Sequence, residues 1–141
     1  MNKTKLKTSL FIVSSFLIPA IMMFFIYLSQ GIYWNSDTSP LLGDGYHQYV
    51  IFDTTLRNIL HGTDSLFYSF QSGLGINFYA LSSYYLGSFF SPLVFFFNAQ
   101  SMPNAVYLIT LLKFGAIGLS TYISLHGMFS KISRSLVLTL S

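Results

Sequence analysis

Cysteine is absent and charge is scarce: Asp, Glu, Lys and Arg together make up 8% of the 141 residues. A soluble domain carries about a quarter. Without cysteine there is no disulfide framework and no thiolate metal site, although either side of a membrane stays open as a location. The net charge of +3 is too small to read as a nucleic-acid footprint, and no nucleic-acid partner is expected. What the chain has instead is apolar bulk, with 52% hydrophobic residues, 15 Phe and 10 Tyr. That composition belongs in lipid, where aromatics fill bundles and anchor interfaces. Helices are the economical way for such a chain to cross a bilayer, so the expected fold class is an all-α integral membrane protein.

The few charges are segregated. Lys3, Lys5 and Lys7 precede the first apolar run, and Lys131 and Arg134 follow the last complete one. All four acidic residues, Asp37, Asp44, Asp53 and Asp64, lie between those runs. Because cytoplasmic flanks collect Lys and Arg, residues 1–9 are expected in the cytoplasm and 30–78 outside it. Residues 10–29 form the first predicted transmembrane helix, with Pro19 inside the run as a kink site. A signal peptide is the rival reading of a basic start followed by an apolar run. The run exceeds an h-region of about 7–15 residues, and no small-x-small cleavage pattern follows it. The second predicted span is 105–128, entered after Pro103. Between them, 79–98 carries no charge, but Gly87, Ser88, Ser91 and Pro92 interrupt it. It is expected as a broken, re-entrant or interfacial element rather than a third crossing. A cytoplasmic loop is expected at 129–134, and 135–141 reads as the start of a further helix. The chain thus reads as two transmembrane helices plus the start of a third, the N-terminal piece of a longer protein.

The extracytoplasmic connection carries the candidate chemistry. Turn formers fill Ser36–Gly45, and Gly43 and Gly45 flank Asp44. From Tyr46 the pattern becomes helical: Tyr49, Phe52, Leu56, Ile59 and Leu60 share one face, and Asp53 and Arg57 make an i,i+4 pair on the other. Gly62 is a plausible C-terminal cap. This predicts an amphipathic helix near 46–61 lying along the membrane surface. Asp44, at or just before its start, is either an ordinary N-cap or a carboxylate free to act as a base or metal ligand. Asp37 competes for that role, against a reading as a turn former, while Asp64 is explained by a turn after Gly62. His47 and Gln48 follow Asp44 closely, but that spacing is no metal signature, and a polar surface contact accounts for it. Gly73 and Gly75 resemble a phosphate loop only superficially, since no strand precedes and no Lys-Ser/Thr follows; close backbone approach or a tight turn explains them better. Lys113 lies about 12 Å inside the second predicted span if that helix is entered near Ala105. It snorkels, pairs, or meets an anion such as a lipid-linked phosphate.

Taken in order, Gly43, Asp44, Gly45, Tyr46, His47, Gln48 and Tyr49, then Arg57, then Ser72 to Gly75, then Tyr84, Tyr85, Ser91 and Pro92 resemble the N-terminal part of YfhO-type bacterial membrane proteins. The resemblance covers roughly residues 10–130. It implies a GT-C-like, polytopic glycosyltransferase that takes a sugar from a polyprenyl-phosphate donor on the outer face. The implied acceptor is a cell-envelope polymer such as lipoteichoic acid in Gram-positive bacteria. By the same resemblance Asp44, with Asp37 second, is the catalytic carboxylate, a general base or the ligand of a divalent cation (Mg or Mn). Transfer would invert the anomeric carbon. His47, Gln48, Arg57 and Lys113 are the substrate-binding candidates, and membrane lipid is the remaining partner. Family members are much longer, so this stretch alone is expected to be inactive. The alternatives are a component of a polytopic transporter or channel, with Lys113 and the broken 79–98 element lining a pathway, and a remnant without function.

Overall fold

A computed structural model describes residues 3–36, 38, 48–70, 75 and 77–139. Its helices are α1 (Lys3–Ser29), α2 (Val50–Leu60), α3 (Phe78–Tyr85) and α4 (Met102–Thr139), with two 3-10 turns, Ser91–Phe96 and Ala99–Ser101, between α3 and α4. No β-strand occurs among the described residues. Two stretches, Leu6–Ser29 and Ala99–Phe129, are long and apolar enough to cross a membrane. The chain divides into two compact units, Met1–Phe25 with Leu111–Ser141, and Ile26–Thr110.

In the first unit α1 and α4 meet through glycine. A Cβ on Gly115 would come 2.7 Å from Phe16 Cζ, and one on Gly118 would run into the Ser15 carbonyl oxygen and Pro19 Cγ. Pro19 has no N–H to offer the carbonyl four residues back, which is that of Ser15. Gly118 therefore covers the acceptor that Pro19 leaves free. Small residues allow such an approach between membrane helices, where packing and not water exclusion supplies the attraction. Side-chain hydroxyls on both helices turn back onto their own backbone: Ser14 to Phe11 O, Ser15 to Ile12 O, and Ser120 and Thr121 to Ile117 O.

The second unit holds a buried core. Phe52 of α2 packs with Phe78 and Leu86, supported by Leu56, Ile59, Leu66 and Leu81. Val94, Met102, Ala105 and Ile109 form a second cluster, flanked by Val50, Leu56, Phe90, Leu93 and Phe97. Leu56 belongs to both, so α2 is the shared wall. Two helix ends close with the same signature. Gly31 (φ +74°) ends α1, with Ile32 N–H donating to Tyr27 O and Gly31 N–H to Leu28 O. Gly62 (φ +75°) ends α2, with Thr63 N–H donating to Asn58 O and Gly62 N–H to Ile59 O. Both are Schellman caps, which use a left-handed glycine to satisfy terminal carbonyls.

Three expectations are corrected here. The apolar face of α2 looks into protein, because Phe78 and Leu86 of the α3 region offer it a core. Residues 129–139, expected as a loop and the start of a new helix, continue α4, which runs through to Thr139. No proline or glycine stands after Gly127 to stop it, and Lys and Arg are good helix formers. The second span begins earlier than residue 105, because a capping box between Asn98 and Ser101 starts the turn that leads into α4. Residues 79–98 are broken, as their Gly, Ser and Pro content predicts: α3 has 8 residues and the 3-10 turn 6, too short for a core of about 30 Å.

Candidate functional site

The predicted site residues fall into three groups. Asp37, Asp44 and His47 lie outside the described residues. Gln48 and Arg57 belong to the unit Ile26–Thr110, and Lys113 to the other. Gln48 is half-buried and partnered, in the π-type turn that leads into α2. Arg57 is nine residues further on, about 13 Å along the helix axis, so these two do not converge on one ligand. Lys113 is exposed on α4.

Arg57 is committed to its own chain. Its Nε donates to the Phe97 carbonyl at 2.6 Å and its Nη1 to Asn58 Oδ1 at 3.1 Å. These two contacts fix the guanidinium. A cationic donor to a carbonyl is among the stronger hydrogen bonds, worth about 1.5–3 kcal/mol. One turn later His61 Nδ1 lies 2.8 Å from Arg57 O, and its ring stacks on Phe95 with centroids 4.3 Å apart. Arg57 and His61 together fasten α2 to the Ser91–Phe96 turn. Asp53 is buried, 7% exposed, and partnered. Asp64 behaves as expected, its Oδ1 accepting from Ser65 N–H at 2.8 Å.

A pocket of about 150 Å³ opens on α2, lined by Val50, Ile51, Thr54, Thr55 and Asn58. The Thr55 hydroxyl is spent on Ile51 O at 2.9 Å, which leaves Thr54 and Asn58 as its polar groups. Neutral hydroxyls and an amide suit an uncharged polar guest or water better than a metal ion. The volume is below the about 300–1,000 Å³ of ordinary ligand sites. Among the described residues no three His, Asp or Glu side chains come together to hold a metal, so they do not furnish a divalent-cation cage.

Across the unit an aromatic and amide seam ties the end of α1 to the start of α4. Tyr27 stacks on Tyr107 at 5.4 Å, Trp34 meets Phe97 and Tyr107 at 6.2 and 6.5 Å, and Asn35 and Asn104 exchange two hydrogen bonds of 3.0 and 2.6 Å. Asn35 adopts φ +59°, which asparagine tolerates better than most residues. Gly75 (φ +107°) backs onto Tyr68, whose Cζ would lie 2.6 Å from an added Cβ, so close approach, not phosphate binding, accounts for this glycine.

Residues 14–141 match the family described as bacterial membrane protein YfhO. The chain belongs to the YfhO family. No curated protein and no solved structure matches it. The match takes in the first candidate span from residue 14 on, all of the second and the whole acidic connection, so this YfhO-family chain is a membrane protein by family and by its two apolar helices. Two features escaped the sequence reading. Gly115 and Gly118, spaced small-x-x-small within an apolar run, signal a close helix contact. The burial of Asp53 was legible only in its position one residue after Phe52, at the edge of the apolar face.

Proposed function

We propose that this YfhO-family protein is part of a GT-C-like glycosyltransferase that moves a sugar from a polyprenyl-phosphate donor to a cell-envelope polymer such as lipoteichoic acid. The observation that carries the reading is the confinement of all four aspartates to the connection between the two apolar helices, inside the family match. In this reading the N-terminus is cytoplasmic, residues 30–78 face outward, and the broken 79–98 element lies at or in the membrane boundary. Asp44, with Asp37 second, takes the proton of an acceptor hydroxyl as its oxygen attacks the anomeric carbon. The bond from that carbon to phosphate breaks, polyprenyl phosphate leaves with the electron pair, and the configuration inverts. Exposed Lys113 would meet the donor phosphate, with His47 and Gln48 as polar contacts to substrate. Arg57, already bound to Phe97 O, would act by holding the Ser91–Phe96 turn in place. A divalent cation, Mg or Mn, on Asp44 is the other use of the same carboxylate.

The test is envelope-polymer glycosylation in cells carrying the intact gene, comparing wild type with Asp44→Asn at matched membrane levels. Loss of the modification supports Asp44 as the base. An unchanged polymer returns Asp44 to a helix cap, and no change on deleting the gene removes the enzymatic reading.

A further inference from the structure

The Ser91–Phe96 turn is apolar on the side that faces away from the core as well as on the side that faces it. In a 3-10 helix residues three apart stand above one another, so the segment separates into rows. Ser91 and Val94, 6% and 0% exposed, form the inner row. Phe89, Pro92 and Phe95 are three apart and form the outer one, with Phe95 partly covered by His61; Phe96 stands beside it, and Phe89 is 92% and Phe96 78% exposed. Leaving such phenyls in water forgoes the free energy of burying their apolar area. A helical segment hydrophobic on every side belongs where no side meets water.

Three observations identify what covers the outer row. No charged residue occurs between Asp64 and Lys113, so nothing in this stretch resists entry into lipid. The backbone amides are satisfied locally: Ser91 N–H donates to Ser88 O at 3.0 Å, Leu93 to Phe90 O at 3.1 Å, Phe97 to Val94 O at 3.1 Å, and Phe90 to Ser88 Oγ at 3.3 Å. Internal pairing of this kind is the condition for backbone at membrane depth. Val94 packs on Met102, Ala105 and Ile109, the opening turns of the apolar stretch Ala99–Phe129. The outer row is therefore carried on the flank of a helix that enters the bilayer.

We propose that Phe89, Pro92 and Phe96 insert into the headgroup–acyl boundary of the leaflet that α4 enters, and so set the depth of the Ile26–Thr110 unit. The occupant of this surface is the lipid bilayer. The inference rests on the membrane reading of α4 and holds whether or not the protein transfers sugar. Because the chain has no cysteine, single variants Phe89→Cys and Phe96→Cys of the full chain accept a nitroxide cleanly. Thr63→Cys, exposed just past α2, is the comparator. In phosphatidylcholine–phosphatidylglycerol vesicles, oxygen is expected to relax the labels at 89 and 96 more strongly than a water-soluble nickel chelate does, with the order reversed at 63. Stronger nickel relaxation at 89 and 96 would mean that they face water and would overturn the proposal. Labels shielded from both reagents would mean a protein cover, a second copy or another helix, and would overturn it equally. These side chains lie outside the core, so matching far-UV circular dichroism verifies each variant's fold, and the readout needs no transferase activity.

Discussion

Among the residues whose burial is described, every large apolar side chain buried lies between Tyr27 and Ile109, while α1 and the later turns of α4 expose Leu10, Phe11, Met22, Phe25, Ile117 and Phe129. The first region closes Phe52 and Phe78 into a core between α2, α3 and the 3-10 turn, although Phe67, Phe70, Phe89 and Phe96 stay outside it. The second holds together at a pair of glycines set against Phe16 and Pro19. The solvent explains the contrast. In water, burial of apolar area drives folding; in hydrocarbon that gain vanishes, and close backbone packing must substitute for it.

The comparison can be broken hardest at Phe78, 1% exposed. Phe78→Ala should destabilise the Ile26–Thr110 unit by about 3–5 kcal/mol, read as faster amide exchange in α2 and α3 in micelles. Exchange in α1 should stay unchanged; equal acceleration there would mean the two regions share one stability. Gly118→Leu reverses the pattern. Overpacking of this kind costs about 1–3 kcal/mol and should speed exchange in α1 near Ser15, whereas Gly127→Leu, with open space at its Cβ, should change little. Next comes Arg57→Ala, which removes the donor to Phe97 O and should cost about 1.5–3 kcal/mol, with amides of the Ser91–Phe96 turn exchanging sooner. The smallest effect is at Asn77, whose Oδ1 caps α3 by accepting from Tyr79 N–H at 3.0 Å. Asn77→Ala should cost about 1 kcal/mol, visible as fraying of α3 in carbon-13 chemical shifts, while α2 keeps its own.

Legibility follows the range of the forces involved. The two apolar helices, the glycine stop at Gly62 and the break around Gly87–Pro92 are written in neighbouring residues, and the sequence reading finds all of them. Partner choice is not local. The periodicity of Phe52, Leu56 and Ile59 gives α2 an apolar face, yet it cannot tell Phe78 from a lipid surface. Spacing offers Asp53 to Arg57, yet nothing local announces that Arg57 Nε reaches a carbonyl forty residues away, at Phe97. Charges at Lys131 and Arg134 suggest a loop, although nothing in their backbone chemistry ends a helix. Of the candidate site, Arg57 reaches the Phe97 carbonyl, a contact its spacing does not announce, and Lys113 is exposed on its helix. The aspartate on which the enzymatic proposal turns, Asp44, lies outside the described residues.

The proline in α1 also has a consequence in time. When α1 first enters the bilayer, the Ser15 carbonyl has lost its helical donor to Pro19, and the glycine that will cover it, Gly118, has not been made. At about 5–20 residues per second, roughly a hundred residues of synthesis leave that acceptor open for about 5–20 s. An unpaired carbonyl in hydrocarbon costs several kcal/mol, so the newborn helix carries a polar mark on one side until its mate arrives. Docking of α4 lays Gly118 over that carbonyl, which makes the unfinished helix chemically distinguishable from the finished pair during biogenesis.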